Sequence, residues 1–230
     1  MLWTIAGTSL RETGRRRAAL LLVVALPLAF YAARSDMQGQ AIRFLAIGVG
    51  WAVATLALFS HVGARHLDRR LAVVGTSPTA LLIGRQLALI GMGLALAAGY
   101  FGLVALTQDV NRLWAVGLLL GTTVLIAAPL GAVVSLVLPR ELEGALALLA
   151  VMATQMIADP EGALAKTLPL WSTRELTGYA VDPVGSEYLW DGLAHFAVVA
   201  LVCAGAAWIA AVVRLRPQAL PEPEPEPVVL

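Results

Sequence analysis

The chain has 230 residues, of which 59% are hydrophobic and only 13% charged, and its formal net charge is +1. Soluble domains carry about 25% charged residues, so this composition excludes an ordinary globular domain and indicates an integral membrane protein. The balanced charge excludes the basic field of a nucleic-acid binder, and a single cysteine, Cys203 in an apolar run, excludes an intramolecular disulfide.

Apolar runs of roughly 15–25 residues are too long for strands, so the sequence predicts an all-α bundle. Residues 1–17 predict an amphipathic helix lying at the membrane interface. Leu2, Trp3, Ile5, Ala6 and Leu10 share one arc, with Thr8, Arg11 and Arg15 opposite. Arg15, Arg16 and Arg17 then abut the first apolar run, 18–33. A signal peptide is the rival reading of this start, with a basic head, an apolar core and small residues at Ala32 and Ala33. The length of the core, Pro27 within it and the further runs that follow favour a retained span.

A polar loop over 34–43 leads to a second span, 44–60. Residues 61–79 then interrupt the apolar pattern with Arg65, His66, Asp68, Arg69 and Arg70. Leu67, Leu71 and Val74 recur at helical spacing, while Arg65, Asp68 and Arg69 fall largely elsewhere on the wheel. Gly75-Thr76-Ser77-Pro78 breaks that helix, because Pro78 pushes the residue before it out of the α region. Ser77 or Thr79 can cap the span that follows. The chain leaves the bilayer, lays down one short amphipathic helix, turns and goes back in.

The third span, 80–106, carries Gly91, Ala95 and Gly99 as a small-residue stripe that predicts close helix packing. A fourth span, 113–138, contains a GxxxG match at Gly117 and Gly121. Its hydroxyls, Thr122, Thr123 and Ser135, are expected to bond back to their own helix. The fifth run, 144–158, gives only about 22 Å of helix against a core of about 30 Å. Asp159-Pro160-Glu161 predicts a new helix start carrying Leu164 and Leu168, and Ser172 to Glu175 matches a capping box. Trp171, Tyr179, Tyr188 and Trp190 place these short helices at headgroup level. The sixth span, 193–213, carries a second small stripe at Cys203, Ala207 and Ala211, and the Pro/Glu-rich tail, 215–230, predicts an extended, disordered segment. The transmembrane domain is thus 18–214.

With both termini inside, eleven of the sixteen basic residues are cytoplasmic. They cluster at Arg11 to Arg17 and Arg65 to Arg70, and early segments dominate orientation.

Catalytic and metal patterns are missing. His61 and His66 lie five apart with no third ligand in their segment, HExxH is absent, and Ser77 lacks the flanking glycines of a nucleophile elbow. The central parts of the spans contain no Asp, Glu, Lys or His, which argues against proton coupling. No Gly-rich loop ending in Lys-Ser or Lys-Thr occurs, so ATP, if it drives this protein, binds another chain.

The order basic loop, short helix, Thr-Ser-Pro turn, apolar run, Gly84-Arg85, apolar run resembles the permease subunits of ABC-2-class ABC exporters. The layout matches over the whole chain and the motif over about 25 residues. It departs where the family often has a Gly-Thr pair and an acid ahead of the proline, and here Arg69, Arg70 and Ala72 stand. The resemblance implies a coupling helix docking on an ATPase through Arg65, Leu67, Asp68, Arg69, Arg70, Leu71, Val74 and Pro78. It also implies a short fifth span followed by re-entrant outer-face helices, with Leu164, Leu168, Trp171, Glu175, Tyr188 and Trp190 at that interface. The expected protein is a non-enzymatic six-span permease in the cytoplasmic membrane, exporting a lipid-like, peptide or drug-like substrate. It would pair with a second permease copy, membrane lipids and two ATPase subunits, with ATP and Mg on those subunits and no cofactor of its own. A haem-export-type permease of cytochrome c maturation and a non-transporting scaffold or immunity protein remain the alternatives. The 61–79 segment discriminates the scaffold, which has no use for a coupling helix.

Overall fold

The computed structural model describes residues 2–15, 17–138, 140–159 and 162–215, with the backbone alone at positions 2, 3, 12, 13, 15, 17–19 and 22. The side chains of Leu2, Trp3 and Arg15 to Arg17, the helix start at Pro160 and Glu161, and the tail from 216 onward lie outside the described residues.

Among the described residues the chain forms ten helices and no strand. They are α1 (Leu2–Arg15), α2 (Arg17–Ala32), α3 (Gln38–Gly63), α4 (Arg65–Val73) and α5 (Pro78–Thr107), then α6 (Leu113–Val137), α7 (Glu141–Ile157), α8 (Ala163–Thr167), α9 (Ser172–Val181) and α10 (Glu187–Arg214). Four of them, α3, α5, α6 and α10, are long and apolar enough to cross a membrane. The six expected spans are therefore present in part. α2 and α7 have 16 and 17 residues; at 1.5 Å per residue each falls short of a core of about 30 Å.

The bundle is built around α3. Of its most apolar stretch 83% is buried, against 11% for α10, so α3 is the central post and α10 an outer one. Its glycine and alanine positions explain how so many neighbours reach it. A Cβ on Gly131 of α6 would meet the Ala54 carbonyl oxygen at 2.1 Å and Ala57 Cβ at 2.7 Å. Only a bare Cα lets α6 lie that close, which is the small-residue packing mode of membrane helices. On another side Gly48 faces Pro27 of α2, whose Cα would be 2.8 Å from an added Cβ. Pro27 is thus accommodated inside α2 and used as a flat contact.

The stripe expected on the third span faces the wrong way for close packing within the chain. Nothing lies within 4 Å of a Cβ added at Gly91 or Gly99, and both are exposed. The buried face of α5 is instead Gly93, Ala97, Tyr100 and Val104, with Gly93 against Val124 of α6 and Val53 of α3. Gly121 likewise has no neighbour. Spacing identifies a smooth face but does not say what meets it; the large side chains of α3 and α6 decide that. The stripe on α10 does point inward, through Cys203 and Ala207. The hydroxyls of α6 bond back to their helix, Thr122 and Thr123 to the Leu119 carbonyl and Ser135 to that of Ala132.

α1 packs on α5, and among its described side chains Ala6 and Ser9 are buried while Leu10 is exposed.

Candidate functional site

One end of the bundle gathers the C-termini of α3, α6 and α10, the N-terminus of α5, and α4 between them. α4 ends in a C-terminal motif that the sequence reading credited to Pro78. Gly75 has φ +92°, the Thr76 N–H donates to the Leu71 carbonyl at 2.9 Å, and the Gly75 N–H donates to that of Ala72 at 3.1 Å. This is a Schellman end, which requires a left-handed residue and so favours glycine. Pro78 then opens α5 at its first turn, and Ser77, not Thr79, is the cap, its Oγ accepting from the Ala80 N–H at 3.1 Å. Thr79 instead accepts from Trp208 Nε1 of α10 at 3.2 Å.

Asp68 and Arg85 decide the geometry of this end. Arg85 donates through both terminal nitrogens to the Asp68 carboxylate, at 2.7 and 2.8 Å, with side-chain exposures of 6% and 14%. A two-pronged guanidinium–carboxylate pair fixes orientation as well as distance. It ties α4 to α5 across the turn. No residue of α4 is fully buried, and this pair fastens it to α5.

Of the residues expected to dock on a partner, Leu67, Val74, Arg69 and Arg70 are exposed, and Leu71, Arg65 and Pro78 are half-buried. Leu67 is 51% exposed, Val74 76% and the neighbouring Val73 86%. Two members of the apolar ridge, Leu67 and Val74, are thus uncovered, while Leu71 between them is half-buried. Asp68 does not belong to that outward set: it faces inward to Arg85.

Two further arginines close the end of α6. A helix leaves its last carbonyls without intrahelical donors; Arg65 donates to the Ser135 carbonyl and Arg214 to that of Leu136. Cations also suit the negative end of the helix dipole. Burial, then the nearby charges of Arg214 and Arg69, hold the Arg65 guanidinium below its usual basicity. Between these helices lies an open cleft lined by His61, Arg65, Asp68, Arg69, Ser135 and Arg214 on its polar side. His61 also lies 3.3 Å from Gln86 of α5, whose amide approaches the Ala128 carbonyl at 3.4 Å. Among the described residues no group of three metal-ligating side chains forms.

At the opposite end the segment between α7 and α10 folds inward. Leu170 is fully buried and its Cδ1 would sit 2.6 Å from a Cβ on Gly50, midway along α3. Gln155 of α7 accepts the Leu170 N–H at 3.2 Å, a bond that turns the chain there. The capping box is not made: Trp171 occupies the cap position in an αR conformation, and Ser172 and Glu175 are buried inside the helix packing. Burial pushes the Glu175 carboxyl above its usual range, and Arg174, 3.9 Å away, opposes the shift. Trp171 stacks near His195 with ring centres 5.2 Å apart. Leu168 is half-buried, while Leu164, Tyr188 and Trp190 are exposed. α8 begins at Ala163 after Gly162.

Arg112 was not singled out by sequence. It donates to the carbonyls of Tyr179, Asp182 and Val184 at 2.6, 3.1 and 3.1 Å and lies 4.4 Å over the Tyr179 ring. It clasps the end of α9 to the start of α6. A lone arginine at the head of a span was the available signal.

No protein-family model matches the chain, and no curated protein matches it.

Proposed function

We propose that this chain is the permease subunit of an ATP-driven exporter of the ABC-2 class, moving a lipid-like, peptide or drug-like substrate across the cytoplasmic membrane. In this reading α2 and α7 complete six spans with their flanking segments, both termini are cytoplasmic, and α8 and α9 are re-entrant helices at the outer face. α4 is the coupling helix, docking on a separate ATPase subunit. Two permease copies and two ATPases form the transporter, and ATP and Mg are held by the ATPases.

The observation that carries the reading is the state of α4. An amphipathic helix outside the four long apolar helices leaves Leu67, Val73 and Val74 uncovered. Such a ridge suits the groove of a partner protein. It is nevertheless fastened to α5 by the Asp68–Arg85 pair. That combination suits a lever: a partner pushes on the free face, and the rigid pair passes the displacement to α5. The central parts of the four long apolar helices hold no carboxylate to couple an ion gradient, Glu187 and Asp191 lying in the first two turns of α10, which supports a drive from outside the chain.

Co-purification of the intact complex in mild detergent, with mass spectrometry of the bound proteins, tests this. An ATPase chain carrying a Walker A loop is expected at equal stoichiometry. A native protein that isolates without one is a scaffold rather than a permease.

A further inference from the structure

The outward face of α4 is basic and apolar at once. His66, Leu67, Arg69, Arg70 and Val73 fall within one arc of about 160° on the helix. Val74 follows at the helix end, and all six are exposed. Asp68, the acid of this helix, lies off that arc and pairs with Arg85. No carboxylate pairs with Arg69 or Arg70 among the described residues. The face therefore interleaves unneutralised positive charge with bare Leu and Val side chains. Its complement is a segment that is acidic and apolar together.

The chain itself leaves the bundle beside this face. Leu215, where the described residues end, lines the same cleft as Asp68 and Arg69. The sequence continues to Pro221-Glu222-Pro223-Glu224-Pro225-Glu226-Pro227 and then Val228, Val229 and Leu230, with no basic residue beyond Arg216. Proline at every second position favours an extended chain of about 3.1 Å per residue, so Glu222 can lie up to about 22 Å from Leu215. α4, with nine residues, measures only about 14 Å. The acids can reach any part of α4, and the apolar cluster follows them.

We propose that residues 221–230 fold back on α4 in the isolated chain. Glu222, Glu224 and Glu226 meet Arg69 and Arg70, and Val228, Val229 and Leu230 lie against Leu67, Val73 and Val74. Charge chooses this occupant over a second α4, whose outward face carries the same sign. The tether chooses it over a free acidic peptide, because a short linker supplies an effective concentration in the millimolar range. Any partner that docks on α4 must displace the segment, which makes it an internal competitor. The inference rests on α4 and the 221–230 sequence and stands whether or not the chain is a permease.

The test uses the full chain, purified in detergent without partners, with a photo-crosslinking amino acid at position 73, which is 86% exposed. Illumination should join position 73 to residues 221–230 of the same chain, read by mass spectrometry of the digest. Glu222→Gln, Glu224→Gln and Glu226→Gln together lie outside every helix of the bundle. They should lower the adduct yield about five-fold, the combined effect of a few exposed ion pairs. Arg69→Gln with Arg70→Gln should lower it by a similar factor. The same probe at position 106, 88% exposed at the other end of α5, should give no such adduct. An unchanged yield in either set of variants, or an equal yield from position 106, overturns the proposal. Adducts to detergent or lipid alone make the membrane surface the occupant, and adducts joining two chains make it a second copy; either overturns the proposal. Trypsin gives an independent readout: removing residues 217–230 should speed cleavage at Arg69 and Arg70, and equal rates overturn the contact.

Discussion

Asp68→Ala should destabilise the protein by about 3–5 kcal/mol, the usual cost of stranding one partner of a buried ion pair. The Arg85 guanidinium would remain in place at 6% exposure with its carboxylate gone. Asp68 is itself only partly buried, so Arg85→Met, which strands the more solvated partner, should cost less than Asp68→Ala. The double variant Asp68→Leu with Arg85→Met should recover most of the loss, because apolar replacement of both partners removes the desolvation term. Thermal unfolding in detergent gives the three values, and the cycle isolates the coupling. Limited trypsin digestion adds a local readout. With the pair broken, α4 loses its tie to α5 while the Arg65 bond to α6 remains, and cleavage at Arg69 and Arg70 should accelerate. Equal cleavage in native and Asp68→Ala protein would mean that other contacts hold α4.

Gly131→Leu should have an effect of similar size through packing alone. Its Cβ would overlap the Ala54 carbonyl and the Ala57 methyl, and both belong to the body of α3, so no flexible side-chain tip can yield. Overpacking commonly costs 1–3 kcal/mol and more where backbone must move, so about 3 kcal/mol is expected here. Gly91→Leu is the matched control. It meets open space, and a surface change of that kind should stay within about 0.5 kcal/mol. If both variants melt alike, the α3–α6 contact is not where the bundle is held.

The difference between those two glycines marks what the sequence could and could not convey. Apolar run length and local turn chemistry act within a few residues, so the existence of a helix at 65–73 and a cap near 77 could be read directly. Closer accounting needed three dimensions. The capping-box spelling at Ser172 was overridden by tertiary packing, with Leu170 driven to the middle of α3 and Ser172 buried beyond it. The Gly91 stripe meets no neighbour within the chain, because period carries no information about which neighbour arrives. Asp68 and Arg85 are separated by a helix end and a turn, and their pairing depends on how α4 folds back over α5. A faint signal existed: Asp68 is the single acid in an arginine-rich segment, and Arg85 is the single charge in its span. The arginines on the end of α6 were equally out of reach, since they serve carbonyls 70 and 78 residues away.

These contacts give the α4 end a division of labour. Asp68 and Arg85 face inward and hold; Leu67, Val73 and Val74 face outward and are free. A coupling role asks for both at once, a firm root and an open face. The pair would carry force to α5, and α5 packs on α6 and α3 through Gly93, so displacement at α4 has a route into the centre of the bundle.

The most direct test of that role places a photo-crosslinking amino acid at position 74, which is 76% exposed and remote from the ion pair, in cells expressing the native operating partners. Illumination should yield one dominant adduct, containing an ATPase subunit, and the companion change Leu67→Asp should abolish it while the protein still inserts. Adducts confined to lipid or to the chain itself, or an ATPase adduct untouched by Leu67→Asp, would contradict the account.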